Sequence, residues 1–343
     1  MSAAELRIDG AMGEGGGQVV RSSLALSLVT GRPVHVERIR AGRKKKGLLR
    51  QHLTAARAAA EISGGSLEGA ELGSTDLRFW PGTVRAGNYR FAIDSAGSST
   101  LLLQALLPPL LLADDPTTLV LEGGTHNPQA PPYDFLERCL APELARLGPR
   151  IDLRIESYGF YPRGGGRIVV EIEPTGALTP VELHDRGKLL DRRVTALLSQ
   201  LPRHIGERMV SRFQKRAGWP SRQFSIRDVP SPGPGTVLLA EVRHEGGTVL
   251  VTGFGRRGLR SESIADSVYQ EIRAHLKHGA PVGEHLADQL IVPFALAGAG
   301  GFTTRSLSRH VTTQIELIPK FLDVTIDVDG VGGARRVRFG TPH

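Results

Sequence analysis

The chain has 343 residues, of which 40% are hydrophobic, and it contains 42 glycines and 22 prolines. This length and composition exclude a disordered, collagen-like or disulfide-stapled chain and suit one large domain with a smaller one. The formal net charge of +8 favours a polyanionic partner or substrate, with a nucleic acid or nucleotide as the first expectation.

The single cysteine and the apolar segments indicate where the protein works. Cys139 alone excludes a disulfide framework and a Cys-rich metal site, and it fits a reducing cytosol. The first ten residues lack the basic and apolar regions of a signal peptide, and the longest apolar runs, 101–113 and 290–302, are interrupted by proline. We therefore expect a cytoplasmic protein with no membrane partner.

Strand-like and helix-like patterns alternate along the first half of the chain. The order is strand, helix, strand, helix, followed by a second round that ends in a pair of strands. In both rounds a strand runs into a turn of small residues, 13–17 and then 95–99, that opens a helix. The predicted strands are 5–9, 34–39, 89–94, 118–122, 151–156 and 168–173, and the predicted helices are 18–28, 48–62, 98–112 and 132–147.

A third round begins weakly at 180–184 and resumes near residue 283. The glycine-rich residues 297–301 are predicted to form a similar turn, here between two helices. Units of roughly 80 residues that repeat this order indicate internal duplication. The predicted elements of the third round are helices over 287–297 and 304–314 and strands over 322–328 and 336–339.

Between the two parts of the third round the pattern changes, which predicts an inserted, smaller α/β domain. We expect residues 1–184 and 280–343 to form the domain of repeats and residues 185–279 to form the insert. The predicted elements of the insert are helices over 203–215 and 262–276 and strands over 223–229, 236–242 and 248–253.

The glycine-rich segment 13–18 lies between a predicted strand and helix, so its backbone amides could meet a phosphate at a helix N-terminus. The signal is weak by itself. The segment is neither a Walker A loop nor a G-x-G-x-x-G motif, because Gln18 takes the last position, and a tight structural turn explains the glycines equally well. Glu14 fits this setting if a divalent cation bridges its carboxylate to phosphates.

A dense run of cations follows the second predicted strand. Residues 38–50 carry seven arginines and lysines, which suits a phosphate track, although a solvated basic loop is the usual explanation of such a run. Arg21, one turn into the first predicted helix, favours the phosphate track because its guanidinium could converge on the same anion.

His310 is the best candidate for a nucleophile or base among the eleven histidines. It follows a glycine-rich turn in a polar helical segment, unlike a core position. A metal site of His126, His285 and His310 is disfavoured because no ligand spacing supports it. Cys139 lies among leucines at helical spacing and is interpreted as a buried, inert thiol. Composition and spacing therefore lead only to a basic α/β protein that handles phosphate groups.

Six blocks, taken together and in order, are more specific. They read DGAMGEGGGQVVRSSLALS, IRAGRKKKGLLRQHLTA, AGSSTLLLQALLPPL, EGGTHNPQAPPYDF, GFYPRGGG and HLADQLIVPFALAGAGGFTT followed by His310. This series resembles the RNA 3′-terminal phosphate cyclases over the whole chain. The resemblance implies three repeated β-α-β-α-β-β units like the C-terminal domain of translation initiation factor three, with a thioredoxin-like insert.

The resemblance also implies a reaction of the ATP-dependent, nucleotidyl-transferring ligase class. In that family ATP adenylylates a histidine, AMP passes to an RNA 3′-phosphate, and the 2′-hydroxyl displaces AMP to leave a 2′,3′-cyclic phosphodiester. The position that matches the nucleophile is His310. A neutral imidazole suits this role because it attacks phosphorus without a strong base and leaves a reactive phosphoramidate.

The same resemblance implies the roles of the other site residues. Glu14 would hold the divalent metal, Mg²⁺ or Mn²⁺, and Asp288 would contact the ribose or orient His310. His285 stands where many relatives have tyrosine. The phosphate and RNA-end site would comprise Arg21, Arg40, Arg43 and Gln51, and the adenylate pocket would comprise Gln104, Pro131, Phe135, His285, Leu286, Ala287, Asp288 and Gln289.

Two alternatives remain at this point. One is a non-catalytic RNA-binding relative that acts in ribosomal RNA maturation, which His310 in an intact block disfavours. The other is a small-molecule transferase such as an enolpyruvyl transferase, which would need no basic run at residues 38–50. The expected partners are ATP and RNA with a 3′-phosphate end. A homodimer is compatible with the sequence, although no self-complementary patch is identified.

Overall fold

The strands of the computed structural model, which describes residues 4–342, form four separate four-stranded sheets. Helices accompany every sheet, which confirms the predicted mixed α/β class. Three of the sheets share one strand order, in which the first, second, fourth and third strands along the chain lie side by side, whereas the fourth sheet has the order second, first, third, fourth. In all four sheets one parallel pair is followed by two antiparallel pairs. The assignment of these sheets to one repeated unit, the thioredoxin-like character of the insert and the domain boundaries stay predictions.

The first sheet carries the helix that follows the glycine-rich segment. Its order is β1-β2-β4-β3, and the last two strands were not predicted from the sequence because each is short and lies among glycines and charged residues. The elements are β1 (Leu6–Asp9), α1 (Gly17–Thr30), β2 (Val34–Glu37), α2 (Arg50–Ser63), β3 (Ser66–Glu68) and β4 (Leu77–Trp80).

The second sheet, of order β5-β6-β8-β7, agrees with the predicted elements to within a few residues at each end. The predicted helix over 132–147 is interrupted by a π turn at Leu136–Leu140. Pro142 follows directly and has no N–H to donate, so a regular α-helical ladder cannot continue through it. The elements are β5 (Asn88–Ala92), α3 (Ser99–Leu110), β6 (Thr117–Gly123), α4 (Tyr133–Phe135), α5 (Ala141–Arg146), β7 (Arg150–Ser157) and β8 (Gly166–Glu173).

The third sheet corrects the sequence interpretation of residues 297–314. A strand, Gly300–Thr304, replaces the predicted turn, and the helix predicted from residue 304 begins at Arg309. A strand forms here rather than a turn because the segment pairs with a neighbouring strand on both edges and buries Phe302 and Thr304. The elements are β9 (Glu182–Leu183), α8 (Glu284–Ala297), β14 (Gly300–Thr304), α9 (Arg309–Leu317), β15 (Thr325–Val331) and β16 (Ala334–Gly340), in the order β15-β16-β14-β9.

The fourth sheet has its own hydrophobic core, centred on Phe213, Trp219 and Val268. Its central strand β10 was missed, because the run KLLDRRVTALLS does not alternate cleanly between polar and apolar residues. The elements are β10 (Leu189–Ser199), α6 (His204–Ala217), β11 (Phe224–Asp228), β12 (Gly235–His244), β13 (Gly247–Phe254) and α7 (Ser261–His278), in the order β11-β10-β12-β13.

Helix α1 lies at the centre of the larger part of the chain. It contacts α2, α3 and α9, and its residues are buried from Gly17 to Leu28. The helix begins without a side-chain cap at Gly16 and ends at Gly31, whose φ of 67° is readily adopted by glycine. The first turn of a buried helix therefore faces residues brought from three other helices. Within residues 4–342 we find no helix long and apolar enough to cross a bilayer.

Candidate active site

The predicted site residues gather around one cleft with a volume of about 540 Å³. All but two of them line it. The exceptions are Leu286 and Ala287, which are buried in α8 beneath the cleft wall. The residues that line the cleft are Glu14, Arg21, Arg40, Arg43, Gln51, Gln104, Pro131, Phe135, His285, Asp288, Gln289 and His310.

The glycine-rich segment forms the floor of the cleft and opens α1. Gly13 and Gly15 have φ values of 54° and 61°, which only glycine adopts at little cost. The backbone N–H of Glu14 donates to Thr313 Oγ1 at 2.8 Å, which ties the segment to α9. Because no side chain caps α1, its first amides are available to an anion.

The His310 ring is held at the mouth of the cleft, with 43% of its side chain exposed. Its Nδ1 lies 2.7 Å from Gln18 Oε1. The orientation of the Gln18 amide follows from its other end, because Nε2 lies 2.6 Å from Asp288 Oδ1 and must be the donor there. Gln18 Oε1 therefore accepts from an Nδ1–H of His310, and the lone pair of the neutral ring is on Nε2.

Gln18 and Asp288 belong to a longer chain of polar contacts that was not foreseen from the sequence. Gln18 is only 2% exposed. Gln314, which is also buried, donates to the backbone carbonyl of Asp288 at 2.9 Å and accepts from Ser22 Oγ at 3.2 Å. We call Gln18, Asp288 and Gln314 the amide relay. It connects α1, α8 and α9 and fixes the ring of His310 through side chains that are themselves held in place.

The pKa of His310 is lowered, so its imidazole is neutral near pH 7. Partial burial is the largest cause, the carboxylate of Asp288 opposes it, and the charges of Arg21 and Arg43 add to the lowering. A neutral ring with a free Nε2 is the form that can act as a nucleophile.

Three arginines converge on the cleft. Arg21 is buried and donates from Nε to Gln104 Oε1 at 2.9 Å, and burial lowers its pKa to about 10, which leaves it protonated near pH 7. Arg43 forms an ion pair with Glu14 and donates from Nη2 to the Glu14 backbone carbonyl at 2.9 Å. Arg40 stands in a loop with a φ of 55°, a left-handed conformation that is uncommon outside glycine and often occurs at functional sites.

His52 is a second site residue that was not predicted. It is buried beside Gln51, and its Nδ1 accepts the backbone N–H of Leu49 at 3.1 Å. Burial, followed by the charges of Arg21 and Arg40, lowers its pKa to about 3, so it stays neutral. The one sequence signal that could have indicated His52 was its position next to Gln51, which was a predicted site residue.

Strand β13 contributes Thr252 and Phe254 to the cleft wall. No sequence pattern near the other site residues could indicate them, because they arrive from the fourth sheet. In the described part of the chain, no group of three or more His, Cys, Asp or Glu residues could hold a metal ion. His126 is buried and lies 2.8 Å from Asp134 Oδ2. Cys139 is buried as expected, and burial raises the pKa of its thiol.

This combination of a basic cleft, an uncapped helix N-terminus and a neutral histidine defines an α/β protein equipped for phosphoryl or nucleotidyl chemistry. A family model described as RNA 3′-terminal phosphate cyclase matches residues 12–328. The chain belongs to the RNA 3′-terminal phosphate cyclase family.

Curated relatives agree with this assignment over nearly their full length. A protein of Koribacter versatilis named RNA 3′-terminal phosphate cyclase is 47% identical over 97% of this chain and 94% of its own. One of the same name from Pseudomonas fluorescens is 48% identical over 94% of each chain. Among solved structures, the enolpyruvyl transferase NikO from Streptomyces tendae matches 98% of this chain and 48% of its own, with 12% identity and a TM-score of 0.36. That similarity is too low to assign a common fold.

Proposed function

We propose that this protein converts the 3′-terminal phosphate of an RNA to a 2′,3′-cyclic phosphodiester in an ATP-dependent reaction in which His310 accepts AMP. The observation that carries the proposal is the His310 ring in the basic cleft, neutral and held by Gln18 with Nε2 free. The names of the relatives support the overall reaction.

In the first step, the lone pair on His310 Nε2 forms a bond to the α-phosphorus of ATP, and the bond to the bridging oxygen breaks to release pyrophosphate. The proton on Nδ1 stays hydrogen-bonded to Gln18 Oε1 at 2.7 Å, so positive charge that develops on the ring is stabilised without a proton transfer. The nearby arginines neutralise charge that builds up on the phosphate oxygens.

Two further displacements complete the reaction. An oxygen of the RNA 3′-phosphate attacks the α-phosphorus of the histidine–AMP and displaces His310, which gives RNA-(3′)pp(5′)A. The 2′-hydroxyl of the terminal ribose then attacks the 3′-phosphorus, loses its proton and displaces AMP. Each step exchanges one bond at phosphorus for another, so positioning and charge neutralisation are the main requirements.

The two substrates would occupy different parts of the cleft. Arg21, Arg40, Arg43 and Gln51 offer guanidinium and amide donors to the RNA 3′-phosphate. The adenylate would bind along the wall where Gln104, Pro131, Phe135, His285, Asp288 and Gln289 lie, which adjoins the phosphate site through the hydrogen bond from Arg21 to Gln104. Leu286 and Ala287 are buried, so they would support this wall rather than touch the nucleotide.

A divalent cation, Mg²⁺ or Mn²⁺, fits the site only if it is shared with ATP. Glu14 lies in the cleft, and Mg²⁺ commonly binds to one or two carboxylates together with substrate phosphates. When bound, the cation would neutralise phosphate charge. Arg43 pairs with Glu14 in this structure. The Glu14 carboxylate would therefore exchange the guanidinium of Arg43 for the metal ion.

Three finer statements accompany this proposal. The shared strand order of three sheets supports repeats of a unit like the C-terminal domain of initiation factor three. The separate core of the fourth sheet supports a thioredoxin-like insert. The free, buried Cys139 supports a cytoplasmic location.

The proposal is tested with ATP labelled on the α-phosphate, with and without Mg²⁺ or Mn²⁺. We expect an acid-labile protein–AMP adduct that disappears in His310→Ala, persists in the control His278→Ala, and is chased by RNA that ends in a 3′-phosphate. His278 lies at the end of α7, outside the cleft. The absence of an adduct with either metal would instead favour a non-catalytic RNA-binding relative.

A further inference from the structure

A second cavity, which we call the outer groove, lies beside the cleft and has a volume of about 890 Å³. It runs between the second sheet's loops and the fourth sheet with its helices, and the segment that joins β13 to α7 borders it. None of the residues named above as substrate-binding or catalytic lines it.

The outer groove adjoins the cleft. Pro128 and Phe254 line both cavities. The shortest way for a chain whose terminal phosphate lies against Arg40 and Arg43 to reach the outer groove is therefore past Pro128 and Phe254.

The lining of the outer groove is basic. Arg256 and Arg257 are exposed, and among residues 4–342 neither forms an ion pair. By contrast, Arg208 is neutralised by a bidentate pair with Glu262, at 2.8 Å for both contacts. No aspartate or glutamate from the described residues lines the groove. Its unpaired charge is thus concentrated in the Gly255–Gly258 segment and suits a polyanion.

An exposed aromatic side chain also lines the outer groove. Tyr161 is 66% exposed, which is unusual for a large ring in a protein where most aromatic residues are buried. An exposed ring and unpaired arginines in one groove are the combination by which proteins bind single-stranded nucleic acid, with bases stacked on the ring and phosphates facing the cations.

We propose that the outer groove binds the single-stranded RNA segment that leads to the 3′-terminal phosphate, with Arg256 and Arg257 on its phosphates and Tyr161 under a base. The inference rests on the proposed function, since it continues the path of the same substrate. A duplex is disfavoured because its paired bases are not free to stack on Tyr161.

The test measures binding of 3′-phosphorylated RNAs by fluorescence anisotropy in the absence of ATP. We compare a dinucleotide with a single strand of roughly 12 nucleotides, a length that fits the range of known single-strand sites. Wild type should bind the longer RNA more tightly. Arg256→Ala/Arg257→Ala should weaken binding of the longer RNA about tenfold and reduce its salt slope by about 1.4, or about 0.7 for each lost phosphate contact, and leave the dinucleotide unchanged.

Two further variants sharpen the test. Tyr161→Leu should weaken binding of the longer RNA about fivefold or more through the lost stacking. The matched control, Arg222→Ala/Arg273→Ala, removes two exposed arginines of the same region that lie outside the outer groove and should behave like wild type.

The groove assignment is overturned if the arginine variant binds the longer RNA like wild type, or if dinucleotide and longer RNA lose the same affinity. It is also overturned if a duplex of equal length binds as tightly and loses the same affinity in the variants. Since binding is measured without ATP and again in His310→Ala, a failure of adenylylation would refute the proposed function separately.

Discussion

Replacement of Gln18 by leucine tests whether the amide relay sets the chemical form of His310. The two side chains are similar in size, so the change mainly removes two hydrogen bonds: the one from His310 Nδ1–H at 2.7 Å and the one to Asp288 Oδ1 at 2.6 Å. Without them, His310 is free to rotate and to carry its proton on Nε2, which blocks attack on the α-phosphorus.

The size of the effect follows from these two bonds. A neutral hydrogen bond contributes about 0.5–1.5 kcal/mol, which corresponds to a roughly 2- to 12-fold slower adenylylation at about 1.4 kcal/mol per factor of ten. The bond to the charged Asp288 contributes about 1.5–3 kcal/mol, and its loss should lower the free energy of unfolding by a similar amount. We therefore expect a loss of stability together with a shift of part of the His310 population to the tautomer that is protonated on Nε2.

The assay combines single-turnover formation of the labelled adduct with nitrogen NMR of the His310 ring, identified by difference from His310→Ala. Wild type should show a protonated Nδ1 and a bare Nε2. When its rate is followed against pH, the midpoint of the rise should lie below the ordinary histidine pKa of about 6.5, because the pKa of His310 is lowered, and the rate should reach its plateau above that midpoint. Gln18→Leu should show mixed tautomers and a lower plateau. Gln214→Leu on α6, whose amide bonds Ser221 far from the cleft, is the control.

An unchanged tautomer and an unchanged plateau in Gln18→Leu would refute the role of the relay. A lower plateau with the wild-type tautomer would refute it as well, because the loss would then come from general damage to the fold.

Other predictions concern stability and RNA binding. The His52 side chain stays neutral down to about pH 3 in the folded protein but binds a proton below about pH 6.5 in the unfolded chain. When the pH is lowered from about 7.5 to about 5, the free energy of unfolding, measured by urea titration, should therefore fall by about 2 kcal/mol more in wild type than in His52→Gln. Equal losses in the two proteins would contradict the burial argument. Gly17→Ala should cost about 1–3 kcal/mol in thermal unfolding, because the added methyl group would overlap with the buried His52 ring, whereas Gly42→Ala, which meets no atom within 4 Å, should be nearly neutral. Arg40→Ala should reduce the salt slope of single-stranded RNA binding by about 0.7, and the exposed Arg273→Ala should not; an unchanged slope in the first variant would place Arg40 away from phosphate.

Local signals in the sequence were sufficient to predict those helices and strands whose ends are marked by capping or turn residues. Helix α3 is an example, since Ser98 precedes a leucine-rich run and its Oγ accepts the N–H of Leu101. Strands β14 and β10 were missed for a different reason. Their residues are not strongly patterned, and they become strands because neighbouring strands from distant parts of the chain satisfy their backbone groups on both sides.

The residues of the candidate site also fall into those that the sequence could identify and those that it could not. Charged and nucleophilic residues such as Arg43 and His310 could be named from their segments and from the family resemblance, because their chemistry is visible in the residue type. Gln18 and His52 could not, because an amide or a histidine acquires its role only from the groups beside it in space: Asp288 for the first, and Arg21 with Arg40 for the second. Phe254 reaches the cleft from a separate sheet.

The distance along the chain between the partners of the amide relay has a consequence for biosynthesis. Gln18 and His310 are separated by 292 positions, so while the ribosome is still translating, the emerging polypeptide presents its glycine-rich segment and basic loop without His310. The early-made cations can already attract nucleic acid at that time. The contact between Gln18 and His310, on which the proposed transfer depends, can form only after residue 310 has also emerged.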